Sequence, residues 1–218
     1  MQRKTTLVGI AGLLVSIATG AATADIAVNG GFEFGTGGDS DNWTEAGGGA
    51  FGTMSFRSDT DPISGSWSHQ LNAVGADGQG ASAVVLTNTL NEGGLPSLQE
   101  NTSLSFAFDA ETDFGPGGVG FYVLRILNGA GAIVADTGLQ NIANGSNASA
   151  VLNVPAFGGG DNDSYAAFIE ISTAAGAFDG SFSNAKIDNV TIDGTLVPTP
   201  ASAALLALGG LVGMRRRR

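Results

Sequence analysis

The chain contains no cysteine, which excludes a disulfide framework, a thiolate-bound zinc site and a thiol nucleophile. Its one histidine, His69, cannot build a multi-histidine metal centre, and no Gly-x-Ser-x-Gly turn accompanies it to suggest a serine hydrolase. Positive charge is also scarce. Between Asp25 and Asp193 stand all 20 acidic residues but only three cations, Arg57, Arg125 and Lys186. Such a surface repels nucleic acid and anionic lipid, because phosphate binding needs Lys and Arg to displace counterions. Sustained helical periodicity is missing from the same stretch. Stability must therefore come from a β-type core, with oxygen-rich side chains that suit calcium better than any softer metal.

The remaining cations sit at the two ends. Arg3 and Lys4 precede an apolar stretch from Leu7 to Ile17, and Ala22-Thr23-Ala24 supplies the small-x-small pattern of a signal-peptidase site, so residues 1–24 read as a signal peptide cut between Ala24 and Asp25. At the other end, Pro198-Thr199-Pro200 leads into an apolar run from Ala201 to Met214 and then Arg215, Arg216, Arg217 and Arg218. As a helix that run reaches about 21 Å, against about 30 Å of hydrocarbon, so a membrane hold relies on snorkelling arginines. The positive-inside rule keeps the arginines cytosolic and puts the acidic domain outside. Both ends give the same topology, an exported protein tethered at least transiently at the cell envelope.

Between the ends, residues 25–195, short runs alternate at period two among turns rich in Gly, Asn and Asp. The clearest is Ser103–Ala110, with Leu104, Phe106 and Phe108 on one face. Further strands are predicted at Met54–Arg57, Trp67–Ala73, Ala81–Leu90, Val119–Leu127, Ala148–Val154, Tyr165–Thr173 and Lys186–Ile192, with a first short one near Ile26–Phe34. Gly47-Gly48-Gly49 and Gly115-Pro116-Gly117-Gly118 read as punctuation. About nine such strands predict an all-β sandwich of two antiparallel sheets, flanked by a signal helix and a short C-terminal hydrophobic helix.

Two resemblances sharpen this reading. The order of a proline-bounded tripeptide, a short Ala/Leu/Gly helix and a terminal arginine cluster over residues 196–218 resembles the PEP-CTERM sorting signal, with Thr199 where that signal carries Glu. The resemblance implies processing by an exosortase-like enzyme at the membrane. Within the middle domain, Asn29-Gly30-Gly31-Phe32-Glu33, Asn42-Trp43-Thr44, Ser64-Gly65-Ser66-Trp67-Ser68 and Lys186-Ile187-Asp188-Asn189-Val190-Thr191-Ile192 resemble, in that order, jelly-roll carbohydrate-binding modules and galactose-binding-like domains.

That second resemblance implies a jelly roll, an extracellular polysaccharide partner, and a structural calcium held by Glu33 and Asp188. The alternative for those carboxylates is that they accept hydrogen bonds from turn backbone. Sugar binding calls for aromatic faces beside polar groups, and Trp67 and Tyr122 are the candidates, Trp67 for its Ser66, Ser68 and His69 neighbours and Tyr122 for its place on an alternating strand. The expected role is non-catalytic binding of polysaccharide. A structural or adhesive matrix protein without a sugar ligand and a glycan-active enzyme are the alternatives.

Overall fold

The computed structural model describes residues 23–49, 53–87, 97–145, 147–156 and 165–197. The signal segment before Thr23, the sorting motif Pro198-Thr199-Pro200 and the arginines Arg215 to Arg218 lie outside the described residues, as do the stretches expected to form the two terminal helices. No helix occurs among the described residues. Fourteen strands do: β1 Thr23–Asp25, β2 Gly35–Thr36, β3 Asp39–Ser40, β4 Trp43–Gly49, β5 Met54–Ser58, β6 Ser68–Val74, β7 Ala81–Thr87, β8 Ser103–Phe114, β9 Gly118–Asn128, β10 Ile133–Asp136, β11 Gln140–Ile142, β12 Ala148–Asn153, β13 Tyr165–Ala175 and β14 Phe182–Thr195.

They form two six-stranded antiparallel sheets and a small β2–β3 hairpin. The first sheet runs β12-β8-β14-β6-β5, with β1 also on β14, and the second runs β10-β9-β13-β7-β4, with β11 also on β9. From β6 to β9, and again from β11 to β14, every connection crosses between sheets, the winding of a jelly roll. The all-β sandwich is thus the observed architecture.

Alternation explains which residues enter the core. On β8, Leu104, Phe106, Phe108 and Ala110 are buried, and across the sandwich Tyr122, Leu124 and Ile126 of β9 and Ala167, Ile169 and Ile171 of β13 meet them. Phe106, Phe108 and Tyr122 form an aromatic cluster with ring centroids 5.2–5.7 Å apart. On β14 the inward set changes parity, from Ala185 and Ile187 to Val190 and Ile192. A bulge between Asp188 and Thr191, with Asn189 at φ 49°, absorbs the extra residue.

Two sequence expectations are corrected here. The stretch Ile26–Phe34 is a turn rather than a strand. Asn29 and Phe32 take positive φ, the Phe32 amide bonds the Asn29 carbonyl at 3.0 Å, and the Asn29 side chain clamps Phe34 and Asp41 through three bonds of 2.7–2.9 Å. Gly30 is pressed so closely on β14 that a Cβ there would lie 1.9 Å from the Val190 carbonyl oxygen, which no strand residue with a side chain could accept. Conversely, Gly47-Gly48-Gly49 is not punctuation. It lies in β4, paired from Trp43 opposite Thr87 to Gly49 opposite Ala81, because an edge strand needs only backbone to join its neighbour.

The chain enters and leaves the sandwich side by side. Thr23, Ala24 and Asp25 pair with Thr195, Gly194 and Asp193, and the Asp25 carboxylate accepts the Ala27 and Ile192 amides at 2.9 and 3.1 Å.

Candidate functional site

Three groups of polar side chains are organised enough to be weighed as sites. The first lies where the 29–34 turn, the 63–68 segment and the β14 bulge meet. Asp188 is fully buried. Its Oδ2 accepts the Ser64 amide at 2.8 Å and the Ser64 and Ser68 hydroxyls at 3.1 Å each, and its Oδ1 accepts the Asn189 amide at 2.7 Å. Glu33 is exposed, with Oε1 accepting the Ser66 and Trp67 amides at 2.8 and 3.3 Å. Gly65 is favoured beside it by its φ of +56°, and a Cβ there would also displace the Glu33 carboxylate from the turn. The two carboxylates therefore converge on one turn, and that turn supplies most of their hydrogen bonds.

Arg57 completes the group. Only 6% exposed, it reaches inward from β5, donating from Nε to the Phe32 carbonyl at 2.6 Å and from Nη2 to the Glu33 carbonyl at 2.7 Å, while its guanidinium lies 3.6 Å over the Trp67 ring. A buried cation held by carbonyls and an indole face is a desolvated cation–π arrangement, worth about 2 kcal/mol. One face of Trp67 is thus covered by the protein itself. Tyr122 is a core residue: 7% exposed, it packs on Phe106 and Phe108 and donates its hydroxyl to the Ser149 carbonyl at 2.9 Å. Phe121, its neighbour on β9, takes the outward position.

His69 forms the second group and has no exposed surface. Ser55 Oγ lies 2.9 Å from Nε2 and spends its own proton on the Val84 carbonyl at 2.8 Å, so Nε2 carries the hydrogen and Nδ1, 3.2 Å from Ser40 Oγ, accepts. Glu45 Oε1 stands 4.0 Å from Nδ1 and is engaged by the Ser40 amide at 2.8 Å. Desolvation by burial lowers the imidazole from 6.5 to about 3. This is a neutral structural histidine tying β3, β5 and β6 together. It is a poor general base, because a base for neutral-pH catalysis needs a pKa near the working pH.

The third group covers the outer face of the first sheet. Register places Asp113, Asn184, Asn72 and Met54 in one row across β8, β14, β6 and β5, and Glu111, Lys186, Gln70 and Phe56 in the next. Lys186 Nζ reaches Glu111 Oε2 and Asp61 Oδ2 at 3.2 Å each and also the Asp61 carbonyl. Burial alone would lower its ammonium, but hydrogen bonds and the charges of Glu111 and Asp61 raise it above the ordinary value. An open cleft of about 210 Å³ runs among Gln70, Glu111, Asp113, Asn184 and Lys186. Within the same rows the Asn72 Oδ1 is buried with no hydrogen-bond donor.

Amides, an ammonium and carboxylates in two adjacent rows offer alternating donors and acceptors about 4.8 Å apart across the strands, with Phe56 and Met54 as an apolar end. Sequence reasoning did not single out these residues as a site. Their polarity at alternate positions of β6 and β14 was visible, but the rows exist only once strand neighbours and register are known.

No protein-family model and no curated protein matches the chain. Among solved structures it is similar to the enzymatically active domain of bacteriophage CBA120 tailspike protein 4, at 20% identity over 79% of this chain and 21% of that one, with a TM-score of 0.50. The chain therefore spans about a fifth of the tailspike chain's length. It is also similar to a Stig cyclase, Fisc, from Fischerella sp. TAU, at 14% identity over 81% of this chain and 100% of that one, TM-score 0.48. A further similarity is to the CBM22-1 xylan-binding domain of Xyn10C from Paenibacillus barcinonensis, at 10% identity over 74% and 90% of the two chains, TM-score 0.40. At 20% identity the likeness to the tailspike domain is one of fold.

Neutral burial of His69 has a measurable consequence. The unfolded chain takes up a proton below pH 6.5, whereas the folded imidazole resists until about pH 3. Stability is then lost as pH falls through that window, at up to about 1.4 kcal/mol per unit, or roughly 2–3 kcal/mol between pH 6.5 and 4.5. Denaturant titrations over pH 4.5–7 should show this slope in the parent, and His69→Gln should flatten it whatever its absolute stability. A parent without slope refutes the neutral assignment.

Proposed function

We propose that this domain binds extracellular polysaccharide through the outer face of its first sheet, as a non-catalytic module displayed at the cell envelope. The observation that carries the reading is the pair of cross-strand rows, Asp113-Asn184-Asn72-Met54 and Glu111-Lys186-Gln70-Phe56. Oriented hydrogen-bonding groups beside apolar side chains are what recognition of sugar hydroxyls requires. Trp67 belongs to this reading as a prop at the end of the sheet, since Arg57 occupies one face of its ring. The surface favours an uncharged polymer, because acidic residues dominate the domain.

Affinity gels containing xylan or hydroxyethyl cellulose test the binding. The parent should be retarded by at least one of them, and the double variant Gln70→Ala, Asn184→Ala should lose at least tenfold in affinity with its Tm unchanged. Trp67→Ala should instead lower Tm while keeping the retardation. Selective loss of retardation in the Trp67 variant would move the binding platform to that ring. Release of reducing ends from either polymer would favour the glycan-active enzyme over the binding module, and no retardation would favour the structural matrix protein.

A structural calcium at Glu33 and Asp188 forms part of the same proposal. Support comes from the convergence of the two carboxylates around Gly31, where an added Cβ would lie 3.8 Å from Asp188 Oδ1 and 3.9 Å from Glu33 Cγ. Calcium needs six to eight oxygens. The two carboxylates would be its anionic ligands, sharing lone pairs with the turn amides. Chelator should lower Tm by several degrees, with recovery on adding calcium; an unchanged Tm leaves the carboxylates as turn acceptors alone.

The reading also keeps the export route: a signal peptide removed before Asp25, a PEP-CTERM-like tail through Pro198, Thr199 and Pro200, an exosortase-like processing partner and a membrane hold ending in Arg215 to Arg218. Pairing of Asp25 with Asp193 near the end of β14 supports it, since the cut end and the tail then leave the domain side by side, the cut itself taking Thr23 and Ala24 from β1. Fractionation should find the chain, shortened at its N-terminus, in envelope or extracellular material. Recovery of the uncut chain from the cytosol refutes the route.

A further inference from the structure

The geometry points to a second polysaccharide surface on the opposite side of the sandwich, so that one domain joins two polymer chains. This inference rests on the binding reading above and extends it from one face to two. On the outer face of the second sheet, alternation turns Phe121 and Arg125 of β9 outward, with Phe168, Glu170 and Ser172 of β13 beside them. Register sets Phe168 opposite Arg125 and Ser172 opposite Phe121. Arg125 Nη1 donates to Glu170 Oε2 at 2.7 Å, with the two side chains 23% and 26% exposed, and the guanidinium lies 5.7 Å from the Phe168 ring centroid.

The two phenyl rings are therefore separated by four residues along the strands, about 13 Å, with the ion pair close to one of them. Between them stand Val123 of β9, only 2% exposed, and Glu170 opposite it, with Val84 of β7 opposite Ser172 at the side. A flat surface with two separated rings and an oriented guanidinium–carboxylate pair suits an extended chain of sugar rings better than a single sugar. Rings give stacking area, and the five N–H groups of a guanidinium, one of them spent on Glu170, orient hydroxyls.

Charge selects the occupant. A polyanion is repelled by a domain with 20 acidic residues against three cations between Asp25 and Asp193. The second face, its arginine and glutamate neutralising one another, is left for a neutral polymer. The sheets lie back to back, about 10 Å apart, so their outer faces point in opposite directions and a straight polymer lies on one face at a time.

Calorimetric titration of the full chain with xylohexaose and with cellohexaose separates the possibilities. Two molecules bound per chain is the expected result with at least one of them. Stoichiometry should fall to one in Phe121→Ala, Phe168→Ala and also to one in Gln70→Ala, Asn184→Ala, and binding should vanish when all four changes are combined. A parent stoichiometry of one, abolished by the first-face pair and untouched by the phenylalanine pair, overturns the second surface and leaves the first standing. Absence of binding to both sugars sinks the two readings together. Melting curves of each variant, expected to match the parent because these side chains face outward, distinguish loss of a surface from loss of the fold.

Discussion

Asp188 places a carboxyl group where there is no exposed surface and, among the described residues, no cation within 4.0 Å. A buried carboxyl without hydrogen-bond partners would carry a high desolvation cost there. Asp188 accepts from four donors, three on Oδ2 and one on Oδ1, which leaves a lone-pair site open on Oδ1. Three of the four come from Ser64 and Ser68, more than a hundred residues earlier in the chain. The carboxylate is thus a tie between the closing strand and the segment that enters β6, and the dependence is mutual. Without Asp188 the Ser64 amide and the Ser68 hydroxyl lose their acceptor, while the Ser64 hydroxyl keeps Asn189 Oδ1 at 3.0 Å; without the serines the carboxylate loses most of its donors.

The position of that tie controls the rest of β14. Up to Ile187 the odd-numbered residues enter the core, and beyond Asn189 the even-numbered ones do. A strand without the extra residue would turn Val190 and Ile192 to solvent, since a one-residue slip reverses every side chain. The bulge accommodates the slip, and the turn containing Gly30 is pressed onto it, with the Val190 amide donating to the Gly30 carbonyl at 2.9 Å. Upstream of the bulge, Asn184 and Lys186 are consequently fixed outward, beside Asn72 and Gln70. The polar rows of the first face follow from where the extra residue sits.

Much of this sandwich was legible as alternation. Leu104, Phe106 and Phe108 announced β8, and the runs at Tyr165–Thr173 and Val119–Leu127 needed only their ends adjusted. What alternation does not contain is which face of a strand meets the core when both look apolar. Phe121, Tyr122 and Val123 left that open, and contact with Phe106 and Phe108 decides it for Tyr122. The glycines of β4 carry no side-chain pattern, so pairing with β7 was invisible in them. The 29–34 turn misled for the opposite reason, because apolar Ile26, Val28, Phe32 and Phe34 imitate a strand while Asn29 and Phe32 adopt positive φ. Glu33 and Asp188 were singled out only through resemblance, and their shared turn and its hydrogen bonds belong to three dimensions.

The distribution of the three interior cations follows a common logic. Each is committed locally: Arg57 to two carbonyls and an indole, Arg125 to Glu170, Lys186 to Glu111 and Asp61. With every cation engaged, the surplus of acidic residues is left to dominate the long-range field, which keeps charged polymers of like sign away and copies of the domain apart. On the binding reading proposed above, short-range recognition would fall to groups whose interactions do not depend on net charge, amides, hydroxyl-accepting oxygens and aromatic rings. Those groups are concentrated on the outer faces of the two sheets, while the sandwich ends are occupied by the ties that close the fold. A strongly acidic domain that recognises anything extended and uncharged has to do so on such faces, and the folding constraint at Asp188 is what holds one of them in register.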